Sequence, residues 1–454
     1  MHIVNPATEE IIVTITEDTS KSLADKYHQL KNAHKEWSAT SMTARIKILK
    51  KFAAILEKDI ESLASILTSE VGKPLQQSRN EINGAISRIQ WMTDHAENYL
   101  ADEQMTKSEG LEEKISYDPL GVVCNISAWN YPWLVGVNVF VNALLAGNAV
   151  MYKPSEYAAL TGLEIEKSLK LAGVPENVFH VAIGGADIGN ILLTLPFDGY
   201  FFTGSYKTGK YIYEKCAAKM IPCQLEMGGK DPLYVADDIR DIRQVAAATA
   251  DGAFYNNGQS CCSVERIYVH ESVYDEYLRE FVKEVASWKI GEPTEPGVYF
   301  GPLSRKPQLA LLEKQVRDAV AKGARILLGG HRIDRKGYYF EPTILVDATH
   351  NMDLMKEESF GPVIGIMKVR NDEEAIGFMQ DTEYGLTASV YSAEKARAEK
   401  ILHRLNTGSG YWNCCDRVSA PLPWSGRNHS GFGVALSHAG LLSFVRPKAW
   451  HLHS

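Results

Sequence analysis

Residues 121–153 read GVVCNISAWNYPWLVGVNVFVNALLAGNAVMYK: an apolar run at 122–126, a polar turn, a helical pattern over 133–146 and a second apolar run at 149–152. Runs of four or five such residues suit strands rather than helices, and a helix between two of them makes the strands parallel. Further along, strand patterns at 178–182, 200–202 and 223–226 alternate with helical patterns at 158–172, 187–194 and 206–219. Right-handed crossovers of this kind build a doubly wound sheet that receives ligands beyond the carboxyl ends of its strands. The stretch is a Rossmann-like half.

A second alternating series follows, with strand patterns at 234–235, 267–269, 325–328, 364–369 and 389–391 and helices near 243–255 and 273–286, which implies a second α/β domain. Upstream, a short strand pair lies within 3–16. Long helices follow, carrying Leu30, Ala33, Trp37, Ile46, Leu49, Phe52, Ile55 and Leu56 as a core stripe. Gly72-Lys73-Pro74 breaks that helical region, another helix runs from about 78 toward 100, and 114–117 reads as a strand closed by Asp118-Pro119. The tail ends in Phe444-Val445-Arg446-Pro447-Lys448-Ala449-Trp450, too short for its own core and apolar enough to pair with another segment.

The composition narrows the function classes. Across 454 residues, 45% are hydrophobic and 23% charged, which is globular rather than disordered. Forty-eight basic against 56 acidic residues leave a net charge of −8 and no basic run to track a phosphate backbone, so nucleic acid is not an expected partner. The most apolar segment, 133–147, contains Asn138 and Asn142 and falls short of the ~20 residues of a membrane span. No cationic stretch followed by an apolar core opens the chain. Seven cysteines, an odd number with no Cys-x-x-Cys pair, argue against structural zinc and for free thiols in a reducing cytoplasm.

Three motifs carry candidate chemistry. Gly204-Ser205-Tyr206-Lys207-Thr208-Gly209-Lys210 has the glycines and lysine of a nucleotide-hydrolysing phosphate loop, but Tyr211 stands where a Ser or Thr must hold magnesium. It reads instead as a self-capped helix start, or as a helix amino-terminus able to receive a pyrophosphate. Phe254-Tyr255-Asn256-Asn257-Gly258-Gln259-Ser260-Cys261-Cys262 puts a thiol after a polar bend, and Leu225-Glu226-Met227-Gly228-Gly229-Lys230-Asp231-Pro232 puts a glutamate at a strand end. A lone intracellular cysteine is usually a small buried hydrophobe, and Glu226 could be solvated or paired with Lys230.

The last two motifs resemble the signatures of the NAD(P)-dependent aldehyde dehydrogenase superfamily, in the right order and at about the right distance. The resemblance extends to Trp129-Asn130-Tyr131-Pro132, Lys153-Pro154-Ser155-Glu156, Phe202-Thr203-Gly204-Ser205, Glu358-Ser359-Phe360-Gly361-Pro362 and Ser430-Gly431-Phe432-Gly433, nearly the whole chain. It implies oxidation of an aldehyde to the acid with NAD⁺ and water, without a metal. Cys261 would be the nucleophile that forms a thiohemiacetal and then a thioester, Asn130 an oxyanion donor, and Glu226 the base that activates water. Cys262 would line the pocket wall.

For the cofactor the resemblance implies Lys153 and Glu156 at the adenosine ribose, with Ile126, Ser127, Ala128 and Trp129 as the nearby shell. Gly204 and Ser205 would meet the pyrophosphate and Glu358 and Phe360 the nicotinamide ribose and ring, with Ser155, Gly184 and Met227 completing the set. A carboxylate at Glu156 favours NAD and would repel the 2′-phosphate of NADP, while Lys153 moderates that preference. The implied architecture is a cofactor domain over 1–100 and 120–226, a catalytic domain over 227–432, and a small β element from 101–119 and 433–454. That element would join subunits into a homodimer or homotetramer.

The chain departs from the family pattern at Ser263 and in Pro423-Trp424-Ser425-Gly426-Arg427. Many succinate semialdehyde dehydrogenases resembling it carry arginines eight residues after the Asn130 equivalent and six before the nucleophile, where this chain has Asn138 and Tyr255. Tyr131, Trp133, Tyr255 and Trp424 could instead wall an aromatic tunnel for an apolar, aromatic or quaternary-ammonium aldehyde.

Overall fold

The computed structural model describes residues 1–453 and contains two large sheets, each predominantly parallel. The first has six strands in the order Gly431–Phe432, Cys223–Met227, Gly199–Gly204, Val122–Ile126, Ala149–Lys153 and Phe179–Val181. Only the Gly431–Phe432 edge is antiparallel. Its central strands are buried along nearly their whole length, as expected when helices cover both faces. The chain starts at Val122–Ile126, moves outward on one side, then returns to the other side at Gly199–Gly204. That reversal opens a crevice at the carboxyl ends of these two neighbours, where Ser127–Trp129 and Ser205 follow.

The second sheet has seven strands, ordered Arg325–Leu328, Thr343–Val346, Val363–Val369, Val264–His270, Asp231–Val235, Thr387–Tyr391 and Ser409–Trp412, and again only one edge, Arg325–Leu328, is antiparallel. The α/β class read from the alternation is therefore observed in both halves. A third sheet joins distant parts of the chain: Val445–His453 pairs antiparallel with Leu111–Pro119, and Glu103–Ser108 forms the other edge.

The amino-terminal helices Ser20–Ala39, Met42–Lys58, Ile60–Val71 and Leu75–Tyr99 carry apolar stripes. Trp37, Phe52, Leu67 and Ile82 from these stripes share one core with Phe140 and with Leu436, Leu441 and Phe444 from the tail. The chain thus returns to the first sheet at Gly431–Phe432 before the tail strand forms. Among the described residues no helix is long and apolar enough to cross a membrane, and no cluster of three metal-ligating side chains occurs.

Candidate active site

Cys261 is set by an unusual bend. Helix Ile242–Phe254 gives way to a turn in which Asn256, Asn257 and Gly258 have φ of 54°, 56° and 66°. Left-handed backbone is costly for most L-residues, least so for asparagine, and free for glycine. At Gly258 a Cβ would also lie 2.5 Å from the Gly361 carbonyl. The asparagine side chains hold the bend: Asn256 Nδ2 donates to the carbonyls of Asn130 and Gln259, both at 3.2 Å, and Asn257 Nδ2 to those of Gly301 and Pro302, both at 2.9 Å. Cys261 emerges half-buried in a cavity wall. Cys262 does not line that cavity, contrary to expectation; it is buried, and its Sγ donates to Asp416 Oδ1 at 3.0 Å.

Asn130 lines the same cavity and is 3% exposed. Its Nδ2 donates to the Gln259 carbonyl at 3.1 Å, and its own carbonyl accepts from Lys73 Nζ at 2.8 Å. Lys73 forms a fully buried ion pair with Glu81, whose other oxygen accepts the Trp133 N–H at 2.9 Å. The residue read as part of a helix break is therefore what fixes the Asn130 turn.

Glu226 sits near the end of Cys223–Met227, opposite Gly431 in the register, and faces the cavity with Cys261. Burial raises its carboxyl to about 8, opposed by the Gln224 and Trp424 side chains and by the Arg88 charge. Gln224 Nε2 is its hydrogen-bond donor, at 3.3 Å. Lys230 is not its partner: that ammonium pairs with Glu265 at 2.6 Å.

Trp129, Met227, Glu358 and Phe360 line this cavity too. Glu358 Oε1 accepts the Gly229 N–H at 3.0 Å, and a Cβ at Gly228 would fall 2.1 Å from that oxygen, so the paired glycines make room for the carboxylate. Burial raises Glu358 to about 8. Glu265 holds the loop by accepting from the Ser359 and Phe360 backbone N–H groups at 3.0–3.2 Å.

An adjoining cavity at the sheet crevice shares Ala128, Trp129, Gly204, Ser205 and Arg305 with the first. It is also lined by Ile126, Ser127, Lys153, Ser155 and Glu156. Ser205 caps helix Tyr206–Ala217 by accepting from the Thr208 N–H at 3.5 Å. The donor set suits a dinucleotide: among the described residues Lys153 Nζ bonds only the Pro154 carbonyl, at 3.3 Å, and Glu156 accepts only from Ser155 Oγ, at 3.2 Å, so both keep capacity for ribose hydroxyls. Lys207 of the Gly204–Lys210 motif belongs to this wall, as do Tyr157 and Arg305, which were not singled out by sequence; Arg305 stacks over Trp129 with its centre 5.3 Å from the ring. Gly184 lines neither cavity. Its φ is +148° and a Cβ there would strike Ile188 Cγ1 at 2.2 Å, so packing accounts for this glycine.

The aromatic tunnel does not form as read. Of its four rings Trp424 lines the Cys261 cavity; Trp133 is 1% exposed within the core, Tyr131 lies under Lys73 Nζ at 3.7 Å, and Tyr255 packs edge-on against Tyr299. Asn138 does line the cavity, and its Oδ1 accepts from Arg88 Nη1 at 2.8 Å. An arginine thus stands behind this wall, on helix Leu75–Tyr99, rather than at position 138 itself.

Known proteins are similar to this chain along nearly its whole length. A sequence profile described as the aldehyde dehydrogenase family matches residues 1–450. Peroxisomal aminoaldehyde dehydrogenase 1 of Pisum sativum is 34% identical over 98% of this chain and 91% of its own length. Succinate-semialdehyde dehydrogenase [NADP(+)] of Deinococcus radiodurans is 32% identical over 98% and 93%. The crystal structure of betaine aldehyde dehydrogenase from Staphylococcus aureus in complex with NAD⁺ superimposes with a TM-score of 0.95 at 28% identity, covering 100% of this chain and 91% of that one. With one family profile spanning both sheets and the cavity between them, the chain belongs to the aldehyde dehydrogenase family.

Proposed function

We propose that the protein oxidises an aldehyde to its carboxylate with NAD, through covalent chemistry on Cys261. The observation that carries this reading is the meeting of Cys261, Glu226 and Asn130 in one cavity that opens onto the Lys153 and Glu156 crevice. The Cys261 thiolate adds to the aldehyde carbon, and the developing alkoxide accepts hydrogen bonds from Asn130 Nδ2 and the Cys261 backbone N–H. NAD, when bound, supplies the hydride acceptor that turns this thiohemiacetal into a thioester. Glu226 then takes a proton from water, which attacks the thioester and frees the acid and the thiol. Its desolvated carboxyl, at about 8, is matched to proton abstraction near neutral pH.

The adenosine ribose belongs with Lys153 and Glu156, the pyrophosphate with Gly204, Ser205 and the start of helix Tyr206–Ala217, and the nicotinamide end with Glu358 and Phe360. NAD is favoured over NADP because Glu156 would face a 2′-phosphate. A thiolate nucleophile suits a reducing cytoplasm. We assign cofactor binding, with Glu226 and Asn130, to the first sheet and its helices, the nucleophile to the second, and subunit pairing to the third, whose edges Glu103–Ser108 and Val445–His453 are largely exposed strands. A stable monomer in sedimentation at micromolar concentration would overturn the last assignment.

The decisive experiment is formation of NADH by the purified protein across neutral, cationic and anionic aldehydes, with NAD and with NADP. Cys261→Ala is expected to lower turnover at least about a thousandfold while NAD binding, read by intrinsic fluorescence, persists. Aldehyde oxidation by the alanine variant at the wild-type rate would refute the covalent mechanism.

A further inference from the structure

Arg88 stands behind the cavity wall, reaching it through Asn138, and is a cation that the proposed chemistry leaves unused. It projects from helix Leu75–Tyr99, half-buried, and none of its guanidinium nitrogens makes an ion pair among the described residues. Its Nη1 donates to Asn138 Oδ1 at 2.8 Å and to the Leu134 carbonyl at 3.4 Å, and no other hydrogen bond from its side chain is found among the described residues. The guanidinium therefore keeps donors in reserve.

The contact with Asn138 fixes more than a distance. A guanidinium can only donate, so the Asn138 amide must turn its oxygen toward Arg88 and its Nδ2 away. Asn138 is 8% exposed, lines the Cys261 cavity and makes no hydrogen bond through Nδ2 among the described residues. Burial lowers the Arg88 guanidinium to about 10, while the nearby Cys262, Cys261, Glu81 and Glu226 groups pull it back up. It is therefore a full cation at neutral pH, within electrostatic reach of the nucleophile and the base.

We propose that Arg88 and Asn138 form an anion subsite that selects aldehydes carrying a carboxylate at the end remote from the reacting carbonyl. The proposal rests on the aldehyde-oxidising reading of the same cavity. Asn138 donates through Nδ2 and Arg88 adds charge and further donors, while the aldehyde end reaches Cys261. Arg88 thereby supplies from a helix the charge that the residue types at 138 and 255 lack. The same cation repels substrates bearing an ammonium group. Among the described residues the aromatic wall left to attract such a group is Trp129, Phe360 and Trp424, and Arg305 already lies over Trp129.

The test compares kcat/KM of the wild type for succinate semialdehyde, butanal and betaine aldehyde, then repeats it with Arg88→Gln and Asn138→Asp. A charge-assisted contact predicts that the wild type prefers succinate semialdehyde to butanal by about ten- to a hundredfold, and that Arg88→Gln erases this preference mainly through KM. Asn138→Asp pairs the guanidinium internally and is expected to erase it too, which keeps the test valid if Arg88→Gln does not fold. Equal losses on succinate semialdehyde and butanal in both variants would overturn the subsite and make Arg88 a support of the nucleophile. Wild-type oxidation of butanal or betaine aldehyde with no preference for the anion would also overturn it, leaving the aldehyde-oxidising reading intact. No oxidation of any aldehyde would instead overturn that underlying reading, and the subsite with it.

Discussion

Glu265 and Glu226 are two glutamates on neighbouring sheets, both drawn out of water, with opposite surroundings. Glu265, 3% exposed, accepts from the Lys230 ammonium and from the Ser359 and Phe360 N–H groups. Glu226 has no cation within ion-pair distance among the described residues, and Gln224 is its hydrogen-bond donor at 3.3 Å. One carboxylate has its charge compensated and serves to hold a loop. The other is desolvated with no ion pair among the described residues, so its charge is costly and proton uptake is favourable, which suits the proposed base. Glu81, paired with Lys73 and holding the Trp133 N–H, belongs with Glu265. The contrast separates scaffold from chemistry among residues of a single type.

The largest effect is expected at Glu265. Glu265→Gln leaves Lys230 a buried cation facing an amide and loosens the 358–360 loop, so stability should fall by about 3–5 kcal/mol and KM for NAD should rise. Denaturant unfolding and NADH kinetics check both; unchanged stability would mean that the pair is not holding the loop. Glu81→Gln is expected to cost less, about 3 kcal/mol, because Glu81 serves one ammonium and one strong backbone donor, whereas Glu265 serves one ammonium and two backbone N–H groups. Its kinetic signature should be a roughly tenfold fall in kcat with NAD affinity unmoved, since the displaced group is the Asn130 turn.

Glu226→Gln should reverse the sign of the stability effect. A carboxyl raised to about 8 in the folded chain, against ~4.3 when unfolded, favours the fold below the lower value, and this advantage is lost as pH rises through the upper one. The Gln variant carries no such loss, so its Tm should exceed that of the wild type near pH 9 and approach it near pH 4. The same variant should show a burst of NADH followed by slow turnover, and the wild-type rise in kcat through about pH 8 should vanish. A wild-type pH profile in the Gln variant would refute the base assignment. The smallest effect is expected at Glu156, an exposed carboxylate bonded only to Ser155. Glu156→Ser should shift stability by no more than ~0.5 kcal/mol while narrowing the preference for NAD over NADP, measured as a ratio of kcat/KM.

Strand–helix alternation made both sheets legible because parallel strands covered on two faces are continuous apolar runs, and the spacing of Glu226 and Cys261 was legible as a family signature. Glu103–Ser108 escaped because it is exposed throughout and carries no alternation. Thr343–Val346 and Ser409–Trp412 also escaped, although Arg325–Leu328, equally short, was read. The support of the site was less legible. Lys73, Glu81 and Arg88 lie on or beside helix Leu75–Tyr99, and nothing in that periodicity says that its inward face meets the turn after a strand half a domain away. Charged residues on a helical pattern read as solvated until packing shows otherwise.

The short antiparallel edge Gly431–Phe432 bears on biosynthesis. It pairs with Leu225 and Glu226, and Trp424 beside it walls the Cys261 cavity. A ribosome makes Cys261, the proposed nucleophile, and its bend well before it makes these walls. Glu226 therefore stays open to water until the end of the chain is made, and its carboxyl acquires its raised proton affinity only when that end closes over it.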